Sequence, residues 1–179
     1  LCREVGISAR ARCGFATYFN KGLYVDHWVL EYWHDNENRW VMVDPQIDAI
    51  QKPFLIGDIN PLDVSPNNFI SGERAWEMCR SGKADPAKFG IFQWWGYTYL
   101  KCNLLLDANS LLKTPMQPWD SWDGYKNLDI DRWTEEDYRV MDELAERIKA
   151  IDEDFERFQN YVESNNKICV PEDLRLVEI

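Results

Sequence analysis

The chain contains no run of about 18 apolar residues, the length that a membrane-spanning helix needs, so no membrane partner is expected. Basic residues are in the minority, 20 against 31 acidic ones, and the net charge is −11. A protein that grips a phosphate backbone needs a basic footprint, so no nucleic-acid partner is expected either. The five cysteines, at 2, 13, 79, 102 and 169, include no CxxC pair, and their number is odd. That argues against a zinc ribbon and against a disulfide scaffold. Free, mostly buried thiols in a reducing compartment are the simpler reading, and a cytoplasmic location follows as an expectation. There are two histidines only, His27 and His34. Seven residues apart on a strand, they point to opposite faces, which disfavours a histidine zinc site. No glycine-rich phosphate loop and no G-x-S-x-G is found. No metal and no cofactor is therefore expected. Internal repeats and low-complexity tracts are absent as well. The chain starts Leu1-Cys2-Arg3-Glu4-Val5, without Met or a signal-like segment. It reads as the tail of an amphipathic helix already under way, and a preceding N-terminal part is expected.

What remains is enough for one ordinary domain with a sizeable core: 179 residues, 45% hydrophobic and 14% aromatic. Residues 8–19 alternate and read as a strand, with Gly6 before them suited to a helix C-terminus. Residues 20–26 read as a loop. Residues 27–34, rich in aromatic and β-branched types, read as a second strand. Asp35-Asn36-Glu37-Asn38 is a hairpin turn, and residues 39–44 form a third strand stopped by Pro45. Residues 45–72 hold the turn signals NPLD and SPNN and read as an irregular excursion. Residues 73–82 and 92–113 read as helices. Residues 114–133, with Pro115, Pro118 and three tryptophans, read as an ordered loop. Thr134 then caps a long helix, with Asp137 at its third position. Tyr138, Met141, Leu144 or Ala145, Ile148, Ile151, Phe155, Phe158 and Val162 follow at spacings of three or four, an apolar stripe that packs on its own domain. Of the nine tryptophans, Trp94-Trp95 and Trp119/Trp122 can line a groove, though core packing and loop anchoring are the favoured reading for large aromatics. The fold class is α+β.

The hairpin fixes a piece of chemistry. If His34 faces Arg39 beside the turn, Trp33 faces Trp40 and Val29 faces Asp44. One face then carries His27, Val29, Glu31 and Trp33 with Trp40, Met42 and Asp44. His27 lies diagonally from Asp44, a separation that long side chains bridge. A carboxylate that orients an imidazole fixes its tautomer and stabilises its charged form. A cross-strand polar pair is also an ordinary structural feature of sheets, and Glu31 shares the face, so parity alone leaves the carboxylate open.

The pieces Gly6-Ile7-Ser8-Ala9-Arg10, His27-Trp28 and Trp40 through Asp44-Pro45, in that order over residues 1–48, resemble the core of the transglutaminase-like superfamily. The stretches AWEMCRSG, FGIF and PWDSWDGY resemble the helical extension of bacterial proteins that carry this domain, here 49–179. The resemblance implies an antiparallel sheet of papain-like, transglutaminase type with a helical extension packed on it. It implies a Cys-His-Asp acyl-transfer enzyme acting on amide bonds of a protein or peptide substrate, as protease, amidase or cross-linking enzyme. His27 would be the general base and Asp44 its orienting carboxylate. The family's nucleophile opens the helix before the G-I-P-A-R-like strand, which falls ahead of Leu1. Cys2, four residues before Gly6, sits where a helix dipole has the wrong sign for a thiolate, and Cys13 lies within a strand. The alternative is a non-catalytic binding or scaffold domain that has kept the fold and lost the nucleophile.

Overall fold

A computed structural model describes residues 2–114, 116, 120, 122 and 132–174. A six-stranded, mostly antiparallel open sheet has helices on one face and irregular chain on the other. Strands β1 (Ala9–Ala16), β2 (Tyr24–His34) and β3 (Arg39–Val43) come first. They are followed by β4 (Phe69–Ser71), helix α1 (Gly72–Arg80), β5 (Phe89–Ile91), β6 (Trp94–Trp95) and α2 (Tyr97–Leu111). Helices α3 (Glu135–Lys149) and α4 (Phe155–Glu163) complete the order. The α+β class is as the sequence implies, but three short strands of the sheet come from beyond residue 48. Several boundaries differ from the sequence reading: β1 ends at Ala16, short of the expected residue 19, and Phe69–Ser71 of the expected irregular excursion form β4. β2 begins at Tyr24 inside the expected loop, because Tyr24 and Val25 pair with Phe89 and Gly90 of β5 in parallel. The expected helix over 92–113 starts only at Tyr97, since Trp94 and Trp95 turn back on β5.

The long helix expected from Thr134 is two helices. Its start is as expected: Thr134 Oγ1 accepts from the Asp137 N–H, and Asp137 Oδ2 accepts from the Thr134 N–H. The helix stops at Lys149, and Asp154 caps the next by accepting the Arg157 N–H. The stripe is nonetheless core. Met141, Leu144, Ala145, Ile148, Ile151, Phe158 and Val162 are buried with residues of α1 and α2. Phe155 is the exception, 48% exposed as the first residue of α4. The expected loop over 114–133 lies mostly outside the described residues, as does Trp119. Trp122 is fully buried, against its groove reading.

The sheet and the helices are joined by charge as well as by apolar packing. β4 pairs with Gly14–Ala16, so among the described residues the first part of β1 has a free edge. There the Cys13 N–H donates to Asp107 Oδ1 of α2 at 2.9 Å. The buried Arg12 guanidinium donates to Asp107 at 3.0 and 2.9 Å, to Glu73 of α1 at 2.9 Å and to Glu31 of β2 at 3.3 Å. Three carboxylates thus share one buried cation, with Arg10 relieving Glu31 at 2.7 Å. Burial, opposed by Arg12 but reinforced by Glu73, pushes the Asp107 carboxyl up to about 6. The folded chain therefore holds a proton there that the unfolded chain has released. That contribution to stability is present below the ordinary carboxylate range and is lost as pH rises through about 6. Urea unfolding of Asp107→Asn beside the wild type checks it. The wild type is expected to lose stability relative to the variant from about pH 4 to about pH 6, with the two running parallel above.

Candidate functional site

β1 occupies one edge of β2 along residues 25–32, so β3 and β5 share the other edge. β3 pairs with residues 30–34 and β5 with residues 24–25, which leaves a gap at 26–29. The observed register, Trp33 opposite Trp40 and Leu30 opposite Val43, is the one the turn dictates. Beyond Val43 the ladder stops. Asp44 sends its N–H to the Pro61 carbonyl at 2.8 Å, and Pro45 has no N–H to give. The chain leaves the sheet at the level of the gap, and the Asp44 carboxylate meets the His27 imidazole there: Nε2 lies 2.6 Å from Oδ2.

The pair lies on the face away from the helices. The irregular excursion after Asp44 covers that face, packing Ile47, Ile59 and Val64 against Ala16, Tyr18, Val29 and Phe69. Asp44 is 2% exposed and His27 8%. A buried carboxylate needs its lone pairs filled. Oδ2 takes two short bonds, from Nε2 of His27 and from the Tyr18 hydroxyl, each at 2.6 Å. Oδ1 takes the Gln46 N–H at 3.0 Å. Burial raises the Asp44 carboxyl, but these three donors and the nearby imidazole outweigh it and hold the group below its usual range. Tyr18 moves the other way: burial, then the bond to the carboxylate, push its phenol far up, so it remains a donor. An ionised Asp44 can only accept. Nε2 of His27 therefore carries a proton, and in the neutral ring Nδ1 is the nitrogen that holds the lone pair. The imidazole has no other hydrogen-bond partner among the described residues. Phe19 packs edge-on against it, ring centroids 5.0 Å apart, and Tyr18 does so at 6.1 Å. Gly14, opposite His27 on β1, leaves room for the Phe69 ring; a Cβ there would come within 2.5 Å of it and of the Ile70 carbonyl.

Glu31, the other carboxylate of that face, is held by Arg10 and Arg12 and not by His27. Asp26 is next to His27 in sequence but on the helix side, where it accepts from Asn103 at 2.8 Å and burial raises its carboxyl. Cys13 shares that side, opposite Trp28. Burial and the charges of Asp26 and Asp107 push its thiol well up. Cys79 is pushed up to about 12 by burial. Cys102 is buried in α2, while Cys2 and Cys169 are half-buried; all five thiols are free. None hydrogen-bonds to His27. His34 lies by the turn beside Glu37, away from the pair. Trp94 is 49% exposed and Trp95 half-buried on the β5–β6 hairpin. No group of three or more potential ligands that could hold a metal ion occurs among the described residues, and no described helix is long and apolar enough to cross a membrane. The residue that sequence reasoning passed over is Tyr18. Its signal is parity: Gly14, Ala16 and Tyr18 continue the face of β1 that pairing turns toward His27.

Set against known protein families, characterised proteins and solved structures, the chain has no match.

The geometry explains why an acid and not an amide stands at 44. Asn offers one accepting edge and one donating edge, so one of the three donors would face an NH2 group. Asp44→Asn is expected to lower the free energy of unfolding at neutral pH by about 1–3 kcal/mol, the usual loss for an unsatisfied buried donor. Urea titration at constant slope measures it.

Proposed function

We propose that this chain supplies the acid–base half of a transglutaminase-like acyl-transfer centre acting on amide bonds of proteins or peptides. The observation that carries the reading is the buried 2.6 Å contact between His27 Nε2 and Asp44, which leaves Nδ1 as a free base. The resemblance of the Gly6–Arg10, His27-Trp28 and Trp40–Pro45 segments to that superfamily, with its papain-like sheet, supports it. In the proposed reaction Nδ1 accepts the proton of a thiol that the resemblance places ahead of Leu1. The thiolate attacks the amide carbonyl and forms a C–S bond. The imidazolium, stabilised by Asp44, returns its proton to the departing nitrogen as the C–N bond breaks. The thioester then passes its acyl group to water or to an amine, with Nδ1 taking the proton of the incoming nucleophile. No cofactor enters these steps.

The test compares residues 1–179 with a polypeptide that also carries the preceding coding sequence. Each is assayed for ammonia release from a glutamine peptide, for amine incorporation and for peptide cleavage. The longer protein is expected to turn over one of these substrates, and His27→Ala to lower kcat by about 10²-fold or more. Residues 1–179 alone are expected to be inactive. Activity of residues 1–179 that is lost on Cys2→Ala would instead make Cys2 the nucleophile. A longer protein with no cysteine upstream and no turnover would leave a binding domain as the reading.

A further inference from the structure

The Asp44 oxygen that orients His27 is shared. Tyr18 Oη donates to the same Oδ2, at the same 2.6 Å, while Oδ1 has only the Gln46 N–H. Tyr18 is fully buried, and its backbone carbonyl is tied to the Ile56 N–H at 2.8 Å, so the ring is anchored by the excursion that covers the site. Packing alone would not require the hydroxyl: Phe would fill the same apolar cluster of Ala16, Val29 and Phe69. We propose that Tyr18 is a positioning residue for the His27–Asp44 pair, fixing the carboxylate rotamer and drawing charge from Oδ2 that the imidazole would otherwise receive in full.

The physical basis is competition at one acceptor. Two donors on one oxygen each meet less negative charge than either would alone, so the His27 bond is weaker than an unshared one. The hydroxyl also helps keep the buried carboxylate ionised. Asp44 is faced by His27 from β2, by Tyr18 from the chain after β1 and by the Gln46 N–H from the chain after β3. No other charged side chain hydrogen-bonds to it among the described residues. In the acyl-transfer reading, on which the catalytic meaning of this inference rests, a shared oxygen keeps the imidazolium from being trapped. The proton taken from the thiol then remains available to the leaving nitrogen.

The experiment reads the pair directly, in residues 1–179, and needs no nucleophile. The Nε2 proton of His27 and the Asp44 carboxyl carbon are followed by NMR in wild type and Tyr18→Phe; His34→Gln assigns the imidazole, since the chain has only 2 histidines. In Tyr18→Phe the Nε2 proton is expected to move downfield, because Oδ2 is no longer shared. Asp44 is expected to protonate at higher pH, because it has lost a donor. A second variant carries 3-fluorotyrosine at position 18, a stronger donor of the same shape, and moves the Nε2 proton upfield. If Tyr18→Phe fails to fold, the fluorinated variant decides. An Nε2 proton that stays put, or moves opposite to these directions, overturns the proposal. Shifted resonances together with a longer protein that has no acyl-transfer activity would uphold the sharing and sink the enzymatic reading. Unshifted resonances with activity would do the reverse.

Discussion

Arg12 is the charge around which the fold closes. It stands on β1, at a free sheet edge, and binds one carboxylate from each of β2, α1 and α2. Without it, three acidic groups would be buried against one another with Arg10 alone to answer them, and breaking such a pair costs about 3–5 kcal/mol because the partner stays buried. The helices are therefore not free to slide on the sheet as a purely apolar layer could. Glu73 lies in the first turn of α1, where a negative charge also suits the helix dipole, and Ser71 donates to it at 2.6 Å. Asp107 fills a backbone donor that the short β4 leaves unpaired. One guanidinium thus sets the register between layers that hydrophobic burial would hold together less specifically.

Further along the same ladder a related problem is solved with the sign reversed. There the buried charge is an anion, Asp44, and among the described residues no Arg or Lys pairs with it; neutral or titratable donors do. In the acyl-transfer reading, that choice leaves the carboxylate free to orient the imidazole. A permanent cation would hold the carboxylate more tightly but would leave it nothing to orient. The irregular segment after Asp44 is what makes this possible. It caps β3 through Pro61, binds Val64 N–H to the Met42 carbonyl, and packs Ile47 and Ile59 into the cluster that holds Tyr18 and Val29. Its prolines and turns, which look like a mere connection in the sequence, form the lid that keeps water from the carboxylate.

The parts of the fold that were legible in sequence are those where a local rule and the tertiary structure agree. The polar turn Asp35–Asn38 fixed the hairpin register, and with it the level of Asp44 against His27, because a strand's parity leaves only alternate residues on a face. The carboxylate itself was not decided by parity, since Glu31 shares the face; Arg10 and Arg12 take Glu31, an interaction between residues of β1 and β2 that no hairpin rule contains. Strands β4, β5 and β6 are too short to show a period. The break between α3 and α4 was hidden because Ile148, Ile151 and Phe155 keep helical spacing straight across it. Asp154 was its local signal, a cap residue standing directly before an apolar one. Phe155 shows the consequence: a residue in phase with the stripe is exposed at the first position of the new helix.

Precision at His27 follows from what holds one ladder at neighbouring positions. Arg12 pairs across β1–β2 with Val29, and Gly14 pairs with His27, only two positions along. The strand pair that carries the imidazole is tied to the helices by Arg12, whose guanidinium reaches α1 and α2, and is covered by Tyr18, Phe19 and the excursion. A general base, the role proposed for His27, works only when held within a few tenths of an ångström of its productive position, and a strand tied down at neighbouring ladder positions meets that demand better than a loop does. The gap between β3 and β5 then has a purpose in the architecture. A complete neighbour strand across residues 26–29 would occupy the place where Asp44 turns in to reach the imidazole. Splitting that edge between two short pairings keeps β2 anchored at both ends while opening its middle, so the rigidity of a sheet and the access of a loop coincide at one residue.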